Sequence, residues 1–131
     1  MAMQALGRHL LGEYHGCDRE LLNRPEHIRS ALLAGVDHSG ATPIHDFVHT
    51  FTPHGVTGIV VIAESHFAIH TWPEYGFAAV DLFTCGDSVD PWRAFEHLAL
   101  ALRAGSHSVV EVRRGLLSTR DGERLPHKPG A

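Results

Sequence analysis

Apolar residues recur along this chain in two patterns, helical spacing and β-type runs, and together they lay out a mixed architecture. Residues 8–14, with Arg8, Leu10, Glu13 and Tyr14 among them, alternate loosely and fit either a strand or a helix. Asp18 suits an N-cap. After it Leu21, Leu22, His27, Ile28, Ala31, Leu32 and Val36 recur at helical spacing, which predicts an amphipathic helix over 18–38. Pro25 weakens its first part, and the regular segment can begin there because proline is tolerated in a first turn; Ser39-Gly40 ends it. Ile44, Phe47, Val48 and Phe51 read as a strand up to the turn Pro53-His54-Gly55. The β-branched run 56–63 reads as a buried strand, 67–72 as a second stopped by Pro73, and 76–83 as a third. Asp90 caps a helix with Pro91 at its first position. Trp92, Phe95, Leu98, Ala99 and Leu102 form the apolar face of that helix, which is core, and Gly105 stops it. Residues 107–112 form a last strand, and the tail from Leu117 reads as loose.

The predicted order is β-α-β-β-β-β-α-β. Short turns between neighbouring strands imply antiparallel pairing, and helices on one face give a two-layer α+β sandwich, one domain over 1–131. The 131 residues suit a single core. A net charge of −4 argues against general nucleic-acid binding, which needs a basic face. No apolar run approaches the ~20 residues that span a bilayer, and the first residues lack the pattern of a signal peptide. The expectation is a soluble cytoplasmic protein, with no membrane partner, whose Cys17 and Cys85 stay as thiols.

The 12 histidines read mostly as surface residues, His45 and His49 included. One stretch stands apart: Glu64-Ser65-His66-Phe67-Ala68-Ile69-His70-Thr71-Trp72-Pro73-Glu74, directly after an apolar run and followed by Cys85. A serine hydroxyl can attack the carbonyl of its own preceding peptide in a strained turn, exchanging amide for ester. Loss of the Cα proton then leaves dehydroalanine, and hydrolysis yields a pyruvoyl group and ammonia. Such a shift needs a base near the serine Cα and a hydroxyl to steady the oxyanion. His70, folding back, can be that base. Thr57 can supply the hydroxyl if strand 56–63 pairs alongside. A pyruvoyl carbonyl captures a primary amine and serves as an electron sink in decarboxylation. A thiol such as that of Cys85 suits the final proton delivery.

At these residues the chain resembles the bacterial S-adenosylmethionine decarboxylases, pyruvoyl-dependent enzymes of spermidine synthesis. The similarity runs over roughly residues 6–115. It rests on Leu6-Gly7-Arg8-His9, Gly16-Cys17-Asp18, Pro53-His54-Gly55-Val56-Thr57-Gly58, Glu64-Ser65-His66, Ile69-His70-Thr71-Trp72-Pro73-Glu74, Asp81-Leu82-Phe83-Thr84-Cys85-Gly86 and Pro91-Trp92-Arg93-Ala94-Phe95-Glu96-His97, in that order. The resemblance implies self-cleavage between Glu64 and Ser65 into a β chain, 1–64, and an α chain, 65–131, with Ser65 becoming the pyruvoyl group that carries the substrate. It implies His70 as the processing base, Thr57 as processing support and Cys85 as the proton donor. It also implies Glu74 as the ligand of the ribose hydroxyls, Phe51 as the aromatic that stacks on adenine, and a homodimer of αβ pairs with sites at the protomer interface. Thr57 stands where the family usually has Ser, and Phe67-Ala68 where it often has Leu-Thr.

Relatives in the same fold act on arginine or ornithine, which remains an alternative substrate reading. Two other readings compete. Glu64, His66 and His70 are ligand types that alternation on a strand would put on one face, as in a metal site. A non-processing partner subunit is the second, against which the complete Ser, His and Cys set counts. His66 either orients the site or faces solvent, and Cys17 has no assigned role.

Overall fold

The computed structural model describes residues 2–120 and 122–126. β1 (Ala2–His15) leads through Asp18 into two helices, α1 (Arg19–Leu22) and α2 (Pro25–Ser39). Asp18 accepts a hydrogen bond from Leu21 N at 3.1 Å, as an N-cap should. The single helix expected over 18–38 is therefore two pieces. Pro25 sits at the start of α2, where its missing N–H costs nothing, and α1 ends at Leu22. Gly40, at φ 86°, closes α2 in the left-handed conformation.

Four strands follow: β2 (Pro43–Thr50), β3 (Val56–Ile62), β4 (Ser65–Trp72) and β5 (Phe77–Cys85), with a 3-10 turn at Pro73–Tyr75 between the last two. α3 (Pro91–Ala101), capped by Asp90 on Trp92 N at 3.0 Å, leads to β6 (Ser106–Thr119). The six strands form one sheet in the order β2-β3-β4-β5-β1-β6, and every neighbouring pair is antiparallel.

Two expectations are corrected in length. Residues 8–14 belong to a strand that begins at Ala2, and the last strand runs on to Thr119. The ends pair with each other, Ala2 opposite Thr119, in a two-stranded ribbon beyond β5. A ribbon exposed on both sides has no burial alternation to betray it.

Alternation divides the sheet. Val56, Gly58, Val60 and Ile62 of β3, Phe67 and Ile69 of β4, Val80 and Leu82 of β5, and Leu10 and Tyr14 of β1 are buried on the helix side. Ile28, Leu32 and Val36 of α2 and Phe95 and Leu98 of α3 complete the core. α2 lies so close to β3 that a Cβ on Gly58 would come within 2.8 Å of Leu32 Cδ1. The Tyr14 hydroxyl donates to Phe95 O at 2.6 Å, and its ring stacks on Phe95. Arg8 and Trp92 both donate to Glu111, tying β1, α3 and β6 together. These bonds, Trp92's first, hold the Glu111 carboxyl below its usual range.

Among the described residues no helix covers the opposite face. Leu11, Phe47, Val61, Trp72, Val110, Val112 and Leu116 are exposed there, Phe47 at 62% and Val110 at 61%. Among the described residues no helix is long and apolar enough to cross a membrane.

Candidate active site

Ala63 and Glu64 form the two-residue turn between β3 and β4, with Ile62 paired to Ser65 across it. Glu64 has φ 59°, in the left-handed region that a non-glycine residue enters at a cost of ~1–2 kcal/mol. Ser65 opens β4, is buried, and donates from Oγ to Ala63 O at 3.1 Å. Continuing the β4–β5 register places Cys85 opposite Glu64. The Cys85 thiol donates to Glu64 O at 3.3 Å. That oxygen belongs to the peptide joining Glu64 to Ser65. Both residues border a cleft on the helix side with Gly40, Thr42 and Ser88, and Cys85 with Glu64 also borders one on the open face.

A second group of side chains gathers at the far end of β4. Thr57 and His70 are register partners on β3 and β4, joined through Oγ1 and Nδ1 at 2.8 Å. The 3-10 turn after Trp72 presents Glu74, whose Oε2 lies 2.9 Å from His54 Nε2. Phe51 stands just past β2, where its N–H bonds Gly55 O, and Gly55 N donates to Asn23 of the segment after α1. Phe51, His54, Thr57, His70, Trp72 and Glu74 border one cleft.

The structure thus joins Ser65 to Cys85, and Thr57 to His70, Glu74 and Phe51, but it does not join the two groups. β4 is continuous from Ser65 to Trp72, so five residues separate Ser65 from His70 by roughly 17 Å along an extended strand. They also point to opposite faces: Ser65 is buried toward the helices and His70 is exposed on the open side. The fold-back that would let His70 serve Ser65 within one chain does not occur, because the strand begins at Ser65 rather than Phe67.

His66 is half-buried on the open face, edge-on to the rings of His9 and Phe83. It is not a purely solvent-facing residue. His66 and His70 lie four residues apart along the strand, and Glu64 lies in the turn. Among the described residues no three of His, Cys, Asp and Glu gather closely enough to hold a metal ion. Cys17 is buried, and its thiol is pushed up to about 11 by that burial. Sequence reasoning did not single out His54, Trp72, His9 or Arg114. The first two flank recognised positions, Pro53-His54-Gly55 and His70-Thr71-Trp72. The last two become neighbours of the site only through the β1–β5 and β1–β6 pairings.

Both the sequence and the fold have counterparts among known proteins. Residues 8–115 match the family model for S-adenosylmethionine decarboxylase. The S-adenosylmethionine decarboxylase proenzyme of Thermotoga maritima is 55% identical over 113 residues, 86% of this chain and 87% of that one. That of Thermosipho africanus is 49% identical over 127 residues, covering 96% and 98%. The crystal structure of the adenosylmethionine decarboxylase from Aquifex aeolicus superposes with a TM-score of 0.84 at 35% identity, over 92% of this chain and 99% of that one. With the sequence match spanning most of the chain and the fold shared, the protein belongs to the S-adenosylmethionine decarboxylase family.

Proposed function

We propose that this chain is a proenzyme that cuts itself between Glu64 and Ser65, and that the product, chains 1–64 and 65–131, decarboxylates S-adenosylmethionine in the cytoplasm for spermidine synthesis. One observation carries the reading: the peptide between Glu64 and Ser65 leaves a left-handed residue, and its carbonyl oxygen accepts a bond from the Cys85 thiol. That oxygen takes negative charge when Ser65 Oγ attacks the carbonyl. A donor already aimed at it lowers the barrier, and strain in the turn is relieved as the amide is lost. Ser65 Oγ is engaged by Ala63 O and would have to leave that bond to attack the carbonyl carbon.

These residues fit a pyruvoyl group derived from Ser65. Such a group supplies the electron sink for decarboxylation. Cys85, across from it, is placed to return a proton to the substrate carbon. Phe51 and Glu74 supply an aromatic face and a carboxylate for an adenosine moiety. A sulfonium cation also suits the rings of this cleft.

The separation of the two groups supports a homodimer in which sites are shared. The uncovered face of the sheet is rich in exposed apolar residues and is the surface to pair. A second copy laid on it would bring its own Thr57 and His70 toward the turn at Glu64 and Cys85 that leads into Ser65 of the first. The net charge of −4 argues against general nucleic-acid binding.

Denaturing mass spectrometry tests the cleavage: two chains ending at Glu64 and beginning at residue 65, the latter carrying a ketone, are expected in place of one 14.4 kDa species. Carbon dioxide release compared across S-adenosylmethionine, arginine and ornithine tests the substrate, and release from the first alone is expected. A persistently intact chain would refute the proposal.

A further inference from the structure

The open-face cleft beside Cys85 contains a cation that the reaction as described leaves unused. Cys85 of β5, Gly7 of β1 and Arg114 of β6 are consecutive register partners in one row across the sheet. Adjacent strands lie ~4.8 Å apart, so the Cys85 and Arg114 backbones are roughly 10 Å apart with a glycine between them. The glycine is required: a Cβ there would stand 2.7 Å from Phe83 Cε1 and 3.0 Å from Cys85 Sγ. The row therefore forms a trough of about 380 Å³, bordered by Leu6, Glu64, Phe83, Cys85, Arg114 and Gly115.

Arg114 is held in place within it. Nη1 donates to His9 Nδ1 at 3.0 Å, and the guanidinium lies 5.3 Å from the centre of the Phe83 ring. Because Nδ1 accepts, the His9 proton sits on Nε2, which is buried and 3.8 Å from Asp81 Oδ1, too far for a hydrogen bond. Burial first, and then Arg114, favour neutral His9 over the opposing pull of Asp81. The partners of Arg114 are thus a neutral imidazole and an aromatic face. Among the described residues no carboxylate stands within ion-pair distance of it, whereas Arg8, Arg24, Arg29, Arg93 and Arg103 each have one.

We propose that Arg114 is the binding site for the substrate's α-carboxylate. The inference rests on the reading of Ser65 and Cys85 given above. Cys85 borders both the cleft that Ser65 lines and this trough, so a substrate bound at Ser65 with its α-carbon before the thiol would carry its carboxylate toward Arg114. A planar guanidinium with free donors matches a carboxylate in geometry as well as charge. S-adenosylmethionine otherwise bears only cationic groups, the ammonium and the sulfonium. The device discriminates substrate from product. The decarboxylated amine has lost the group that Arg114 holds and keeps only charges that the guanidinium repels, which favours release. Arg114 is in these terms a specificity residue for α-amino acids, setting the direction of the bond to be broken.

The test compares processed wild type, R114M and R114K. KM for S-adenosylmethionine is measured by carbon dioxide release, and the dissociation constant of decarboxylated S-adenosylmethionine by calorimetry. Loss of a charge-assisted pair predicts that R114M raises KM by about tenfold or more. Affinity for the decarboxylated amine should be unchanged or improved. R114K, which keeps the charge without the fork, should fall between. Should R114M fail to fold, R114K alone decides, through a raised KM with unchanged amine affinity. Equal weakening of substrate and amine overturns the proposal, as would follow if Arg114 instead paired with the carboxylate that Glu64 frees on cleavage. Unchanged KM overturns it as well. Denaturing mass spectra of the same samples separate the two readings: an uncut wild type condemns the cleavage, while a cut wild type with KM unmoved in R114M condemns only the role of Arg114.

Discussion

Two individually dead variants, expressed together, should restore cleavage to one of them. S65A lacks the hydroxyl that attacks, and H70A lacks the proposed base. In β4 the two positions are separated by roughly 17 Å and face opposite sides of the sheet, whereas a base must come within ~3 Å of its proton or act through one water. No rotamer of His70 closes such a gap, so the proposed mechanism requires each Ser65 to be served by the His70 of a second copy. In an S65A/H70A heterodimer one site is doubly defective and the other is whole. The intact Ser65 of the H70A chain meets Thr57 and His70 supplied by the S65A chain. Random pairing at equal expression puts about half of the H70A chains in heterodimers, and that fraction should be cut while the S65A chain stays whole. A short tag on one variant separates the masses under denaturing conditions, and native mass spectrometry confirms the heterodimer. Heterodimers present but uncut would refute a shared site and force His70 to act within its own chain or not at all.

The other outcomes are read more directly. C85A should still cleave, about tenfold more slowly for want of a weak donor on Glu64 O, and should lose at least ~100-fold in turnover of S-adenosylmethionine; full activity would remove Cys85 from the mechanism. E64G removes the left-handed penalty, so it should raise the stability of the uncleavable S65A chain by up to about 1 kcal/mol in denaturant melts and slow cleavage in an otherwise intact chain. His9 and His97 are both held below the ordinary imidazole value of 6.5, chiefly by burial, with His38 adding to the effect at His97. Their neutral forms are the ones the fold favours. That stability is full above 6.5 and is lost as pH falls through the lower folded values, so the thermal midpoint should drop on acidification from about 7.5 to 5.5. H97N should drop less over the same interval.

Much of this fold is local and was readable as such. Asp18 and Asp90 cap α1 and α3, Pro25 and Pro91 begin α2 and α3, and the β-branched run at 56–62 is a central strand. The lengths of β1 and β6 were not readable, because their outer halves support only each other and carry no one-sided apolar pattern. At the site, Ser65, Cys85, Thr57 and His70 were legible as chemistry but not as geometry. Parity separates Ser65 from His70 once the strand is known to start at Ser65, and placing the start two residues later hides the conflict. Arg114 lay out of reach, since it is 29 residues from Cys85 in sequence and its nearness depends on β1 inserting between β5 and β6.

If the chain is cut as proposed, that parity sets the order of events in maturation. A chain that has folded but not paired contains a strained turn, a poised hydroxyl and a donor on the carbonyl, yet lacks the base at the place where the Cα proton must leave. The apolar face that would recruit the missing group also makes the single copy unfavourable in water. Under the proposed mechanism, pairing would supply the driving force and the base in one step, and a lone chain would be protected from cutting a turn that still holds β3 to β4. Cleavage at Glu64-Ser65 would then remove a covalent link whose work the sheet already does, since β4 is hydrogen-bonded to β3 on one side and β5 on the other. The dependence is measurable. Diluted below its dimer dissociation constant, the precursor should cut at a rate that falls with concentration, and above that constant the rate should be flat.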